Sequence, residues 1–239
     1  MYNFEIYPIS RSYSMIEPRL LARLKQKKAQ LDALRPLPAA ATRRLEEQMT
    51  IEWIYNSNAI EGNTLTLKET RLILETGLTI GGRSLREHFE VINHRDAIEY
   101  VEALVAGAES TSPPEPVTPF HVRQIHHLVL THIDDDNAGR YRTLPVQIMG
   151  TAHQPPDAWQ VPALMQEWGD WLNASAQELH PIERAALAHH RLVAVHPFID
   201  GNGRTARLVM NLLLMRDGYP PTIIMRANRS QYYRILAQA

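Results

Sequence analysis

Residues that handle protons and phosphate crowd into one short run, His196-Pro197-Phe198-Ile199-Asp200-Gly201-Asn202-Gly203-Arg204-Thr205-Ala206-Arg207. Stretches of helical period flank the run, so it reads as a tight helix–loop–helix connection. Gly201 and Gly203 on either side of Asn202 permit a backbone turn whose N–H groups converge where the next helix begins. Such a nest, at a positive dipole end, suits phosphate oxygens. Arg204 and Arg207 are three apart and share a helix face, adding two guanidinium forks. Asp200 offers the hard carboxylate by which Mg²⁺ is usually held beside phosphates. His196 has the ordinary pKa of a group that accepts a proton near neutrality. Base, metal ligand, anion cradle and cations in one loop describe a phosphoryl or nucleotidyl transfer site.

A second run, Ser57-Asn58-Ala59-Ile60-Glu61-Gly62-Asn63, lies far upstream. Glu61 falls at the C-terminal end of a predicted helix, where a carboxylate opposes the dipole at a cost of up to about 1 kcal/mol. That placement implies a cation nearby. Ser57, one turn back, is within reach of the Glu61 carboxylate. The remaining candidates read mostly as structure. His189-His190 and His196 have no recognised zinc spacing, so one of the first two is expected to pack under the loop and orient it. His126-His127 reads as helix surface and core edge. Tyr232 and Tyr233 read as closing a core.

The elements that must position these groups are helical. Leucines at 20, 21, 24, 31 and 34 among Lys and Arg predict an amphipathic helix from Glu17 to Leu34, ended by Pro36-Leu37-Pro38. A helix from Ala40 to about Glu61 follows and stops at Gly62. A third, Leu67 to about Glu75, is capped by Thr64-Leu65-Thr66. Ser84-Leu85-Arg86-Glu87 has capping-box spacing and opens a helix to about Leu104. Four prolines between Thr111 and Pro119 mark a loop or linker. Helical patterns return over Pro119–Ile133, Val161–Leu172, Pro181–Val195 and Thr205–Arg216, and the chain reaches Ala239 still in helical pattern. Between them Val146-Gln147-Ile148, Gly150 and Pro155-Pro156 predict one small β-hairpin flap. The expectation is an all-α bundle with that single β element. An N-terminal helical region over 1–110 holds the helix at about 40–62, and a catalytic core spans 111–239.

Composition narrows the classes further. The 239 residues carry a formal net charge of −1, with 44% apolar and 21% charged residues, values of a folded chain rather than a disordered or fibrous one. A near-neutral balance gives no basic field to recruit nucleic acid or an anionic membrane. The absence of cysteine excludes disulfides, thiol catalysis and thiolate metal sites. The N-terminus, Met1-Tyr2-Asn3-Phe4-Glu5-Ile6-Tyr7-Pro8, lacks the pattern of a signal peptide, and a cytoplasmic protein is expected.

The twelve-residue run resembles, without departure, the signature His-x-Phe-x-(Asp/Glu)-Gly-Asn-Gly-Arg-x-x-Arg of the Fic (filamentation induced by cAMP) family. Gly139-Arg140-Tyr141-Arg142, His180-Pro181-Ile182, Ala185–His189, Gly218–Pro221 and Tyr232-Tyr233 extend the resemblance from about Asn56 to the C-terminus. It implies AMP transfer from ATP to a Ser, Thr or Tyr hydroxyl of a target protein or of the chain itself. His196 would then deprotonate the hydroxyl, and Asp200 would hold Mg²⁺ (or Mn²⁺). Gly201, Asn202 and Gly203 would cradle phosphate oxygens, Arg204 would bind the β-phosphate, and Phe198 would fix the loop. One branch of the family carries Lys where this chain has Gly203 and acts as a kinase, so Gly203 favours AMP transfer. The upstream run resembles the family's inhibitory motif (Ser/Thr)-x-x-x-Glu-(Gly/Asn), in which the glutamate, here Glu61, pairs with the second arginine, here Arg207, and blocks the γ-phosphate of ATP. This resembles the class inhibited by an N-terminal helix, and the run through Leu67 is similar to that of the animal endoplasmic-reticulum branch, which both attaches and removes AMP. The resemblance also implies a homodimer through the core and a stack of Tyr232 or Tyr233 on adenine. Several relatives continue for another helix with an adenine-contacting Asn, so either the core is truncated at Ala239 or that contact is supplied differently. A hydrolase removing AMP at the same site, and a nucleotide-binding regulator or toxin–antitoxin-like partner without turnover, stand as alternatives.

Overall fold

The structure is a computed structural model and describes residues 16–110, 115–148 and 153–238. Its helices are α1 (Pro18–Ala33), α2 (Ala39–Ile60), α3 (Leu67–Thr76), α4 (Leu85–Ser110), α5 (Pro119–Leu130), α6 (Val161–Asn173), α7 (Pro181–Val195), α8 (Asn202–Arg216) and α9 (Arg229–Gln238). Local chemistry sets several of these ends. Thr66 Oγ1 accepts from Glu69 N (3.2 Å) while the Glu69 carboxylate accepts from Thr66 N (2.7 Å), so two orphan donors of α3 are satisfied reciprocally. Ser84 and Glu87 repeat the device at α4. Glu87 also accepts from Thr64, and these hydrogen bonds hold its carboxyl down at about 2. The chain leading out of α2 is thereby pinned to the start of α4.

Helix α8 is the axle of the bundle. Leu208, Val209 and Leu212 are fully buried on it, and its polar Asn202, Arg204, Thr205, Arg207 and Asn211 are buried as well. A helix enclosed on all sides needs neighbours all round, and α7, α4, α5 and α2 supply them. Because α8 begins inside the signature run, the polar residues of its first turns are presented from within the core. Two boundaries differ from those expected. Helix α4 continues to Ser110 instead of ending near Leu104, and α8 begins at Asn202, three residues before the expected Thr205.

The expected β-hairpin flap is corrected by the structure: no strand occurs among the described residues. Residues 143–148 and 153–157 are irregular, and Met149 to Ala152, including Gly150, lie outside the described part. Pro145, Pro155 and Pro156 each lack the N–H that a ladder needs. The buried Arg142 side chain takes up carbonyls that ladder amides would otherwise use, donating to Leu144 O (3.2 Å) and Pro156 O (2.6 Å). The two ends of the segment are joined through one guanidinium instead of through strand pairing. The first half of the proline-rich linker also lies outside the described residues.

Candidate active site

The connection between α7 and α8 starts with His196 in left-handed conformation (φ 48°, ψ 58°), an unusual state for a residue with a Cβ. Gly201 makes the second turn at φ 75°, where glycine carries no steric cost. Gly203, in contrast, lies inside α8 and makes no turn. Between the two turns Asn202 closes the loop on itself: its Oδ1 accepts from Phe198 N (2.9 Å) and its Nδ2 donates to Phe198 O (2.8 Å). Phe198 is fully buried and stacks on His126 at 3.6 Å between centroids and 4° between planes.

His126 is the pillar beneath the loop. Its Nδ1 accepts from Gly139 N (2.9 Å), which leaves Nε2–H to donate to Asp200 O (2.9 Å). Burial, the larger influence, pushes its pKa down to about 4, so the imidazole stays neutral in that role. The expectation of surface and core edge misses this position. The signal was present: Val122, Ile125 and Val129 put residue 126 beside the inward stripe of α5. Of the pair expected under the loop, His189 instead meets the Tyr232 hydroxyl from α9 (2.9 Å). Arg142 is a further residue that composition and spacing did not single out. It holds the start of the loop, donating from Nε to His196 O (2.8 Å), while its own N–H donates to Pro197 O (2.9 Å).

His196 Nδ1 faces Val193 O at 3.3 Å, so the proton belongs on Nδ1 and the Nε2 lone pair is left to act as a base. Burial first, and then Arg142, lower its pKa to about 4 against the opposing carbonyl of Val193 and the Glu61 carboxylate. The sequence alone suggested titration near neutrality. The folded site keeps the base neutral well below that. Asp200 sits at the mouth, its Oδ1 accepting from Gly201 N (2.6 Å) with Arg204 Nη2 at 3.4 Å and Arg86 of α4 on Oδ2. Burial opposes its charge, but Arg204 and the other donors outweigh that and hold its pKa below the usual carboxylate value.

Arg207 is enclosed. Nη2 meets Glu61 Oε1 at 2.7 Å and donates to Ser57 O at 2.9 Å, and Nε donates to Ser57 Oγ at 3.0 Å. The Ser57 hydroxyl therefore serves the guanidinium and not the carboxylate for which its spacing suggested it. Burial disfavours the Arg207 charge, yet Glu61 prevails and its pKa is raised. The Glu61 carboxylate lies so close over the first turn of α8 that a Cβ on Gly203 would stand 2.3 Å from Oε1. An anion at this helix N-terminus is favoured by the dipole and the free N–H groups. From α9, the Tyr233 hydroxyl approaches Glu61 Oε2 at 3.4 Å and Tyr232 approaches Arg207 Nη1 at 3.5 Å. The structure thus gathers every residue singled out in the two sequence runs, and both tyrosines, around the start of α8.

The model of the Fic/DOC family matches residues 116–214. A Fic-domain signaling protein of Bacteroides thetaiotaomicron superposes with a TM-score of 0.82 at 34% identity, covering 90% of this chain and 80% of that one. The chain belongs to the Fic/DOC family. The C. elegans Fic-1 structure is also similar, with a TM-score of 0.75 and 37% identity over 92% of this chain and 65% of that one. Among curated proteins, the protein adenylyltransferase Fic of Drosophila willistoni is 43% identical over 226 residues, 94% of this chain. This Fic-family chain spans 43% of that relative's length.

Proposed function

We propose that this chain is an autoinhibited protein adenylyltransferase that moves AMP from ATP to a hydroxyl of a target protein and of itself. The observation that carries the reading is the pairing of a neutral, Nδ1-protonated His196 with an anion cradle at the start of α8 whose second arginine is occupied by Glu61. His196 Nε2 accepts the hydroxyl proton as the oxygen attacks the α-phosphorus. The bond from that phosphorus to the bridging oxygen breaks, and pyrophosphate leaves. Arg204 and the first N–H groups of α8 offset the charge on the departing phosphates.

Asp200 is the residue that would hold Mg²⁺ or Mn²⁺. It is an ionised carboxylate, its side chain 44% exposed, and Mg²⁺ is commonly bound through one carboxylate plus substrate phosphates. When bound, the ion would neutralise charge on the α- and β-phosphates. Among the described residues no cluster of three or more potential ligands exists, which fits a site completed by the nucleotide. Tyr232 or Tyr233 supplies a face for the adenine. On resemblance to the family, the chain also forms a homodimer, which light scattering tests against its 27.3 kDa mass.

The deciding experiment uses radiolabelled ATP with Glu61→Gly protein and a cell lysate. Label is expected on the chain and on a discrete lysate protein, and to fall about 10²–10⁴-fold when His196→Ala is added. Silence of Glu61→Gly with Mg-ATP overturns the reading. Label should also vanish in Asp200→Ala or in excess EDTA, and persistence there removes Asp200 as the metal ligand.

A further inference from the structure

The segment 226–233 grips the last turns of α2 at successive points. Arg226 N donates to Asn56 Oδ1 at 2.8 Å, Arg229 Nε donates to Ile60 O at 2.7 Å, and Tyr233 approaches Glu61. The Arg229 contact reaches the carbonyl just before Glu61, where α2 runs out of amide partners. The last carbonyls of a helix carry a negative partial charge that a cation satisfies. No basic residue of α2 itself occupies its last turn. The guanidinium also lies 4.8 Å over the Tyr233 ring, which fixes the fork in place. One arginine therefore joins the end of the inhibitory helix to the aromatic pair that faces Arg207.

We propose that Arg229 is a positioning residue for autoinhibition: a C-terminal clasp that holds the last turn of α2 so that Glu61 reaches Arg207. It touches neither His196 nor the phosphate cradle. Its effect on transfer runs through Glu61, and that part of the proposal rests on the adenylyltransferase reading. Because the clasp comes from the helix bearing Tyr232 and Tyr233, a ligand that displaces those rings loosens Glu61 at the same time. Filling the adenine side of the site and opening the phosphate side become one event, and the coupling needs no movement of α8.

The test compares wild type, Arg229→Ala, Arg229→Lys, Glu61→Gly and the Glu61→Gly/Arg229→Ala double variant. Amide exchange over residues 56–63 without nucleotide is expected to quicken about fivefold in Arg229→Ala while the α7–α8 loop keeps its rate. Arg229→Lys, which keeps a cation within reach of Ile60 O, is expected to restore it. Unchanged exchange at 56–63, or equal quickening throughout the chain, overturns the clasp. Self-labelling by radiolabelled Mg-ATP is expected to rise about threefold or more in Arg229→Ala and to match Glu61→Gly in the double variant. If Glu61→Gly labels strongly and Arg229→Ala stays silent, the clasp fails and the transferase reading stands. If Glu61→Gly is itself silent, the transferase reading fails and the exchange data alone decide the clasp.

Discussion

Arg204 and Arg207 sit one turn apart on α8 and are equally buried, with side chains 2% and 3% exposed, yet their surroundings differ. Arg207 is saturated: a carboxylate at 2.7 Å, a carbonyl and a hydroxyl near 3 Å, and a tyrosine at 3.5 Å. Arg204 is held only by long contacts, 3.4 Å to Asp200 and 3.5 Å to Glu90, and its Nε and Nη1 make no hydrogen bond. Spacing alone makes the two equivalent. The fold differentiates them, because α2 presents Ser57 and Glu61 closely to one arginine while Asp200 of the loop and Glu90 of α4 reach the other only at 3.4 and 3.5 Å. Arg204 keeps hydrogen-bonding capacity for a phosphate, and Arg207 has little to offer until Glu61 moves.

The strongest way to break this contrast is to cut the Arg207 contact from each side. Glu61→Gly frees the guanidinium and is expected to raise self-labelling about a hundredfold, the equivalent of roughly 2.7 kcal/mol. Arg207→Ala removes the inhibitory partner together with a nucleotide ligand and is expected to stay silent. Equal labelling by both variants, read by autoradiography, abolishes the distinction. Stability gives a smaller but sharper comparison. Arg207→Ala strands a partly buried carboxylate and several acceptors and is expected to cost about 3 kcal/mol. Arg204→Ala, with less to lose, is expected to cost about 1 kcal/mol. Urea denaturation of both variants decides it, and equal losses would mean that the two sites are not differently bonded.

Acid probes the surroundings of both arginines without changing either, acting through the neutral histidines beside them. Burial lowers the pKa of His126 and His196 to about 4 and that of His189, beside Arg207, to about 3. The unfolded chain therefore binds these protons before the folded one does. Stability is expected to be level above about pH 7 and to fall from about pH 6.5 toward pH 4, each histidine contributing on the order of 1.4 kcal/mol per pH unit. His189→Gln should flatten that fall when unfolding is measured at pH 5 and pH 7.5. An unchanged slope would mean that the histidine beside Arg207 is free to charge.

Contiguity explains what could be read from sequence. The twelve residues of the loop carry base, carboxylate, glycines and cations in order, and neighbouring helices fold them without rearranging that order. The leucine and isoleucine stripes placed eight helices because each stripe only has to find some core. The flap failed because Val146, Ile148 and the nearby prolines look locally like a hairpin, whereas Arg142 draws on carbonyls from distant parts of the chain. Ser57 lies on the helix its spacing predicts, but its partner is one no local spacing reveals, since Arg207 arrives from 150 residues away. Arg86 on Asp200 and Arg229 on Ile60 are likewise pairings that no local pattern announces.

Gly203 carries a consequence for how such a protein can change over generations. The space left by its missing side chain is filled by the Glu61 carboxylate, and the same helix end must receive phosphate when nucleotide reacts. Any larger residue there alters restraint and chemistry together, so the position offers no independent dial. Heritable adjustment of the resting activity must be found at sites that touch only one of the two. The outer surface of α9 and the far side of α2 are open to substitution, while the first turn of α8 is held fixed by two separate demands.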